Sequence, residues 1–255
     1  MAITTITEKN NNAAKEAVTD FSYVLVTLAD GTEKKMTKAQ LAAVLAKTGD
    51  ELDINKEAMD GIYILYKKAA DSYHRLSSVF DWPALQTSGE VADGVLVWQG
   101  DKWLVVAPNC SAAVNWAASQ AAVVTGYSTS DKAVALTRWE GKERTAAAVA
   151  ALSSADIEGK ALGYVHSYSH GSIAAGSWWL PSLGELLFIF ANKNRINKAL
   201  SVINGSNPIP DSAHWSSTEN SATNAWFMIF GSGTVSNYNK TTHSSIARPV
   251  AAWPY

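Results

Sequence analysis

Cysteine is almost missing from this chain: its 255 residues include one, Cys110. A single thiol can form no intramolecular disulfide and can supply no thiolate cluster for a metal ion. Because unpaired cysteines are usually buried in folded proteins, we expect Cys110 to be a buried structural thiol.

Charge is also scarce. Charged residues make up 17% of the chain and the formal net charge is −2, whereas hydrophobic residues reach 47%. This balance predicts a folded protein with a large core. It predicts no nucleic-acid partner and no attraction to an anionic membrane, because both need a basic surface.

Long apolar runs are absent. No stretch of about 18 apolar residues occurs, so we expect no membrane insertion. The first twenty residues, "MAITTITEKNNNAAKEAVTD", lack the apolar core of a signal peptide. The sequence therefore predicts synthesis and folding in a cytoplasm.

Residue patterns that indicate catalysis are missing as well. His166 and His170 are four residues apart in "HSYSHG", but the Ser, Tyr and Gly residues favour a loop or strand over a metal-binding helix. The segment "GSIAAGS" lacks the spacing of a phosphate-binding loop. We therefore expect no enzyme, no metal site and no cofactor.

The first 50 residues predict a polar tail over residues 1–20, flexible or ordered by a partner, and a small module over residues 21–50. In the module, "FSYVLVTLADGTEKKM" predicts a β-hairpin with its turn at Asp30-Gly31. Thr37 and Gln40 form a capping box for a short helix that ends near Gly49. The result is a ββα unit too small to be stable alone.

Residues 51–90 predict a helix followed by a linker. Apolar residues in steps of three and four form a heptad pattern over residues 57–80. Its members are Met59, Ile62, Tyr66, Ala69, Tyr73, Leu76 and Phe80. The helix either packs on its own domain or forms a self-associating stalk, and "DWPALQTSG" predicts a break after it.

Residues 91–255 predict one α+β domain of short strands with two main helices. "GVLVWQGDKWLVVAP" predicts two strands, and "NWAASQAAVV" and "ERTAAAVAAL" predict helices. The strongest helix pattern lies in "WWLPSLGELLFIFANKNRINKALSVI", with Pro181 in its first turn and Glu185 near its positive end. Short strands follow up to the C-terminus.

The stretch "NAWFMIFGSGTVSNYN" alternates in a way that predicts two faces of a sheet. Phe227 and Ile229 share one face, and Met228 and Phe230 share the other, which we assign to the core. Ser232, Thr234, Ser236 and Tyr238 likewise share a face. An exposed face of aromatic residues and short hydroxyls has the composition of an antibody paratope.

The segments "WWLPSLGEL", "HWSSTE", "NAWFMIF", "GSGTV" and "ARPV" resemble the C-type-lectin-fold variable proteins of diversity-generating retroelements. Those of gut Bacteroidetes phages and prophages are the most similar, and the resemblance covers residues 91–251. In that family a reverse transcriptase copies a template repeat, misreads adenines and replaces the 3′ end of the gene. The segment "LADGTEKKMTKAQLAAVLA" separately resembles modules near the start of phage tail-fibre and virion proteins.

The resemblance implies two sets of positions. Those matching the family's fixed residues, here called framework positions, are Trp215, Ser216, Ser217, Thr218, Glu219, Ala225, Trp226, Phe230, Gly233, Val235, Arg248 and Pro249. Those where the family varies and binds its ligand, here called variable positions, are Ser221, Ala222, Thr223, Phe227, Ile229, Ser232, Thr234, Ser236, Tyr238, Thr241, Thr242, His243, Ser244 and Ser245. Asn220, Asn237 and Asn239 belong to either set. Trp178 and Trp179 are expected to join the framework packing.

The resemblance implies a non-catalytic protein that recognises a host-cell surface receptor, a protein or a glycan, from a phage tail-fibre tip. Its N-terminus would attach to tail or other virion proteins, and the stalk would align three copies. A bacterial cell-surface adhesin and a structural virion decoration protein are the alternatives. Calcium-dependent sugar binding is not expected, because neither Glu-Pro-Asn nor Gln-Pro-Asp occurs and carboxylates are few. Glu219 is expected to hydrogen-bond buried backbone groups.

Overall fold

The computed structural model describes residues 3–7, 24–28, 33–36, 61–120 and 128–253. The chain divides into two compact units, Met1–Asn55 and Lys56–Tyr255. The first unit contains three strands, β1 (Ile3–Thr7), β2 (Val24–Leu28) and β3 (Glu33–Met36), in an antiparallel sheet of order β1-β2-β3. The predicted hairpin is confirmed by the β2–β3 pairing, whereas the predicted helix after it lies outside the described residues.

The predicted flexible tail is wrong where it is described. Ile3–Thr7 forms β1, which pairs antiparallel with β2. "ITTIT" is rich in β-branched residues, which favour strands, although the sequence that follows it is polar.

The second unit contains the larger set of elements. Its strands are β4 (Gly61–Tyr66), β5 (Arg75–Ser77), β6 (Ala92–Gln99), β7 (Lys102–Val106), β8 (Ala113–Asn115), β9 (Trp178–Trp179), β10 (Ala213–Glu219), β11 (Asn224–Ile229), β12 (Thr234–Asn239), β13 (Ser244–Ile246) and β14 (Val250–Ala251). Its helices are α1 (Trp82–Thr87), α2 (Lys132–Leu136), α3 (Gly141–Ala151), α4 (Ser154–Ile157), α5 (Ala161–Ser167) and α6 (Leu183–Leu200). The fold is α+β, as predicted.

Two sheets organise this unit. A six-stranded sheet has the order β5-β4-β6-β7-β14-β9, and its strand pairs are antiparallel. A five-stranded sheet has the order β12-β11-β10-β13-β8, in which β10 and β13 are parallel and the other neighbours antiparallel. The two longest helices, α3 and α6, correspond to two of the three predicted helical segments.

Two apolar cores flank the five-stranded sheet. The first core lies among the six-stranded sheet, α6 and one face of β11, and it includes Val95, Leu186 and Met228. The second core lies between the other face and helices α3 and α5, and it includes Leu162 and Phe227. Because successive strand residues point to opposite faces, β11 contributes side chains to both cores.

The predicted stalk over residues 57–80 is wrong. Gly61–Tyr66 is β4, which pairs with β6, and Arg75–Ser77 is β5. Ile64 and Leu65, which lie outside the heptad pattern, are fully buried. "GIYILY" is a short apolar run of β-branched and aromatic residues in a strand covered on both faces, and such runs lack a period of two.

This correction changes the predicted boundaries. The domain begins before residue 91, because β4 and β5 belong to its six-stranded sheet. The predicted linker contains α1, whose Trp82 is fully buried. The predicted homotrimer depended on the stalk helix. Residues 61–80 form strands β4 and β5 in place of that helix, so they give no support for a trimer.

Two further helix predictions need correction. Residues 115–120 of the predicted helix "NWAASQAAVV" are not helical, since Asn115 ends β8, and residues 121–124 lie outside the described part of the chain. Pro181 precedes α6 instead of occupying its first turn. Ser182 is the N-cap, and it forms a reciprocal capping box with Glu185.

Candidate ligand-binding face

The β11–β12 hairpin places the predicted strand residues on one face of the five-stranded sheet. Phe227 lies opposite Ser236, and Ile229 lies opposite Thr234. Tyr238 lies opposite the framework residue Ala225. Cross-strand partners in an antiparallel pair point to the same side, so the grouping predicted from alternation agrees with the register.

The second core covers part of this face, although the alternation predicted that the face is exposed. Phe227 is 2% exposed and packs in the second core with Trp215. Its ring stacks on Tyr238, with centroids 4.6 Å apart and an interplanar angle of 8°. Tyr238 is 45% exposed and also stacks on His243 at 3.8 Å. Phe227 therefore packs beneath the surface, and Tyr238 and His243 form part of the surface that a ligand can reach.

Two loops meet at the Tyr238 end of the hairpin. The Lys240 N–H donates to the Thr223 carbonyl at 2.9 Å, which joins the loop that contains Ala222 to the loop that contains Thr241 and Thr242. Ala222, Thr223 and Thr242 are exposed there. Variable positions from separate parts of the sequence thus form one patch.

Other variable positions lie away from this patch. Ser232 lies in the turn and Thr234 begins β12 at the opposite end of the hairpin, roughly 17 Å along a six-residue strand. Gly233 has a φ of +72°, which favours glycine at this turn. Ser245 is buried, so its assignment as a contact residue is corrected, whereas Ser244 is exposed on the same strand.

Residues outside the predicted set complete the rim of the patch. The Asn239 side-chain oxygen accepts from the Thr241 backbone N–H at 3.0 Å and its hydroxyl at 2.9 Å, so Asn239 fixes the turn. Gln120 donates to the Thr241 hydroxyl at 3.1 Å, and the Ser244 hydroxyl donates to Asn115 at 2.8 Å. Gln120 and Asn115 lie more than a hundred residues away in sequence, and no local pattern indicates their role.

A buried ion pair lies beneath the two loops. The Lys240 ammonium is 2.5 Å from Glu219 Oε1, and the two side chains are 0% and 3% exposed. Lys240 also donates to the Ala222 carbonyl at 2.9 Å. Burial lowers the pKa of Lys240, and the hydrogen bond and charge of Glu219 oppose that effect. Glu219 was expected to hydrogen-bond backbone groups, and the structure adds this contact of its side chain with a lysine.

Tryptophan side chains fix the elements behind the face. Trp178, Trp179, Trp215 and Trp226 are buried. Trp215 Nε1 donates to the Val114 carbonyl at 2.8 Å, and Trp226 Nε1 donates to the Thr129 carbonyl at 2.8 Å. Indole N–H groups that find partners when buried tie distant segments together. These four residues pack as predicted for a framework.

Burial separates the two sets of positions. Of the twelve framework positions, ten are buried and two, Gly233 and Val235, are half-buried. Of the fourteen variable positions, two are buried, Phe227 and Ser245, and the other twelve are half-buried or exposed. Most variable positions can therefore change without altering the core.

The two histidines considered as metal ligands, His166 and His170, do not lie on one helix. His166 lies at the end of α5, which stops at Ser167, and His170 forms a bridge with Ile173 beyond it. Within the described ranges, no group of three or more His, Cys, Asp or Glu side chains is placed to hold a metal ion. Among the same residues, no helix has the length and apolar character of a membrane span.

Cys110 is half-buried, not fully buried as expected. It lines a cavity of about 590 Å³ together with Tyr164 and His166. The guanidinium of the buried Arg248 lies against the thiol, and it donates to the carbonyls of Ala107 and Pro108. Arg248 thus ties the C-terminal strands to the segment after β7.

Comparisons with known proteins do not assign a family. No family model matches this chain, and no curated protein matches it. A solved structure of a fimbrial protein from Bacteroides ovatus is similar with a TM-score of 0.45 and 16% identity over 89% of this chain. The match covers 48% of that protein's chain, so this chain spans about half its length. A likeness of this size assigns neither fold family nor function.

Two buried titratable groups behind the face respond to pH in opposite ways. Burial lowers the pKa of His214 to about 4, although the Ser212 carbonyl lies 2.9 Å from its Nδ1. Burial raises the pKa of Glu185 to about 7, against the hydrogen bonds it accepts from Ser182 and Trp179. His214 contributes stability above pH 6.5 that is lost as the pH falls through 4. Glu185 contributes stability below pH 4.5 that is lost as the pH rises through 7.

Replacing His214 by leucine should remove the loss of stability that protonation of this histidine causes at low pH. As the pH falls from about 7 to about 4, the unfolding free energy of the variant should rise relative to wild type by about 3 kcal/mol. Urea unfolding at each pH measures this difference. His166→Leu, at an exposed site, is the control. It should change the unfolding free energy by no more than about 0.5 kcal/mol at each pH. A difference for His214→Leu that is constant with pH would contradict the assignment.

Proposed function

We propose that this protein is a non-catalytic receptor-binding protein whose variable positions form a diversifiable ligand surface. The observation that supports it most directly is the difference in burial: ten of the twelve framework positions are buried, and twelve of the fourteen variable positions are half-buried or exposed. Binding residues are frequently carried by loops on a rigid scaffold. Here the scaffold is fixed by buried tryptophan hydrogen bonds and the Lys240–Glu219 pair.

The chemistry of the surface fits recognition better than catalysis. The fourteen variable positions contain no Asp, Glu, Lys or Arg. The exposed Tyr238 and the half-buried His243 provide aromatic contact area, and short hydroxyl side chains surround them. Rigid aromatic residues beside adaptable hydrogen-bonding groups are typical of paratopes. The proposed ligand is an uncharged region of a host-cell surface protein or glycan.

The resemblance to retroelement variable proteins extends the proposal to the fold family and the setting. We assign residues 56–255 to the C-type lectin fold, with α3 and α6 as its two main helices. The protein acts at a phage tail-fibre tip or related virion site, and its N-terminal unit attaches it to the particle.

Sequencing the 3′ end of this gene in a growing population, with its flanking DNA, tests the proposal. We expect substitutions concentrated at the twelve exposed or half-buried variable positions and a nearby adenine-rich, near-identical template. Ser245 and Phe227 should vary less, because each contributes to a buried layer. Substitutions spread equally over framework and variable positions, or a uniform 3′ end without a template, would contradict a diversified surface.

A further inference from the structure

A second candidate binding site lies on the six-stranded sheet, away from the variable positions. It is a cavity of about 340 Å³ whose walls include three indoles, Trp103, Trp139 and Trp179. Trp103 belongs to β7, Trp139 precedes α3 and Trp179 belongs to β9. No variable position lines this cavity.

The indoles are fixed by contacts with their own domain. Trp139 packs edge-on against Phe188 with centroids 5.4 Å apart, and Trp103 packs against Trp98 at 5.5 Å. The Trp179 N–H donates to Glu185 at 3.1 Å. Trp103 and Trp139 are nevertheless only half-buried, so each retains accessible ring surface. Fixed aromatic rings bind a ligand at a small cost in conformational entropy.

The charges around the cavity select against an ionic ligand. Two lysines, Lys102 and Lys142, and three carboxyl groups, Asp101, Glu143 and Glu185, line the cavity. Glu185 is 1% exposed and already accepts hydrogen bonds from Ser182 and Trp179, so the accessible charges are those of the other four. A ligand cation would meet Lys102, whose ammonium already lies 4.9 Å from the Trp139 ring centroid. A ligand anion would meet the two accessible carboxylates, Asp101 and Glu143, which offset the two lysines, so the accessible charges favour a neutral ligand.

The cavity continues into a more polar one. A neighbouring cavity of about 380 Å³ shares Lys142 and Ala252 with it, so the two adjoin. His74 and Ser172 line this second part, and His74 Nε2 lies 2.9 Å from the Ser172 hydroxyl. The combined groove is aromatic at one end and rich in hydrogen-bonding groups at the other.

We propose that this groove binds a short neutral oligosaccharide without calcium. A pyranose has a face of positively polarised C–H groups, which suits the negative face of an indole, and its hydroxyls suit Lys142 and Ser172. Each cavity has the size expected for a small-molecule site. None of its lining residues is a variable position, so the site goes beyond the proposed function and would add a glycan contact to whatever the variable positions recognise.

Titration of the full chain with three neutral probes, maltotetraose, cellotetraose and chitotetraose, in the presence of EDTA tests the proposal. Tryptophan fluorescence and calorimetry report binding. We expect at least one probe to bind, and we expect Trp139→Ala to weaken that binding about tenfold or more. Lys142→Met, at an exposed site that shapes both cavities, should weaken it several-fold without affecting folding.

Matched variants separate this site from the variable positions. Lys132→Met, at another exposed lysine, and Tyr238→Ala should leave oligosaccharide binding unchanged. The proposal is overturned if none of the three probes binds at up to about 10 mM, or if binding survives both Trp139→Ala and Lys142→Met. Loss of binding in Tyr238→Ala would place the glycan on the variable positions instead. Binding of choline or tetragalacturonate in place of the neutral probes would also reject the assigned ligand class.

Discussion

Replacing Lys240 by alanine should lower the free energy of unfolding by about 3–5 kcal/mol, because it removes the ammonium that the buried Glu219 carboxylate binds. For a domain of this size the melting temperature should fall by on the order of 10 °C. The two side chains are 0% and 3% exposed, so solvent does not screen the pair in the wild-type protein. Thermal and urea unfolding measure the effect.

The control is an ion pair at the surface. Lys68 Nζ lies 3.8 Å from Glu90 Oε1, and the Lys68 side chain is well exposed. Lys68→Ala should therefore lower the free energy of unfolding by no more than about 1 kcal/mol. The double variant Lys240→Met with Glu219→Leu should recover part of the loss, since it removes both charges. A Lys240→Ala variant as stable as Lys68→Ala would show that the pair does not support the fold.

The position of this pair connects stability to the proposed function. Lys240 contacts the Ala222 carbonyl through its ammonium and the Thr223 carbonyl through its backbone N–H. It therefore fixes both loops from beneath, without using the side chains at the variable positions. Substitution at Ala222, Thr223 or Thr242 leaves these contacts in place, which is what a diversifiable surface requires.

Local pattern predicted the elements whose residues determine their own structure. Helix α6 has a capping box and helical spacing of apolar residues, and α3 is rich in alanine. The alternation in β11 and β12 assigned Phe227 and Met228 to opposite faces, which the register supports. These features depend on spacing within a few residues, so the sequence is sufficient for them.

Features that depend on distant partners were not predictable. Ile62 and Tyr66 fit a heptad, yet β4 is a strand because β6 pairs with it and the first core covers it. Gln120 reaches Thr241 across 121 residues, and no local pattern marks it. A period counted along the chain cannot reveal which face another segment will cover.

Phe227 shows the same limit at the proposed site. Alternation separated it from Met228 but predicted an exposed face, because it did not reveal the second core, to which other parts of the chain contribute Trp116 and Leu162. Because Phe227 is 2% exposed, Phe227→Ala should lower the free energy of unfolding by about 3–5 kcal/mol. Chemical denaturation measures this loss.

Tyr238→Ala is the matched comparison, because Tyr238 stacks on Phe227 but is 45% exposed. It should cost no more than about 1 kcal/mol, since most surface substitutions have small effects. If the proposed function holds, Tyr238→Ala should nevertheless abolish the ability of the purified protein to compete with the phage particle for binding to host cells. Equal destabilisation by the two variants would mean that Tyr238 belongs to the core. A stable Tyr238→Ala protein that competes as well as wild type would mean that ligand contact lies elsewhere on the molecule.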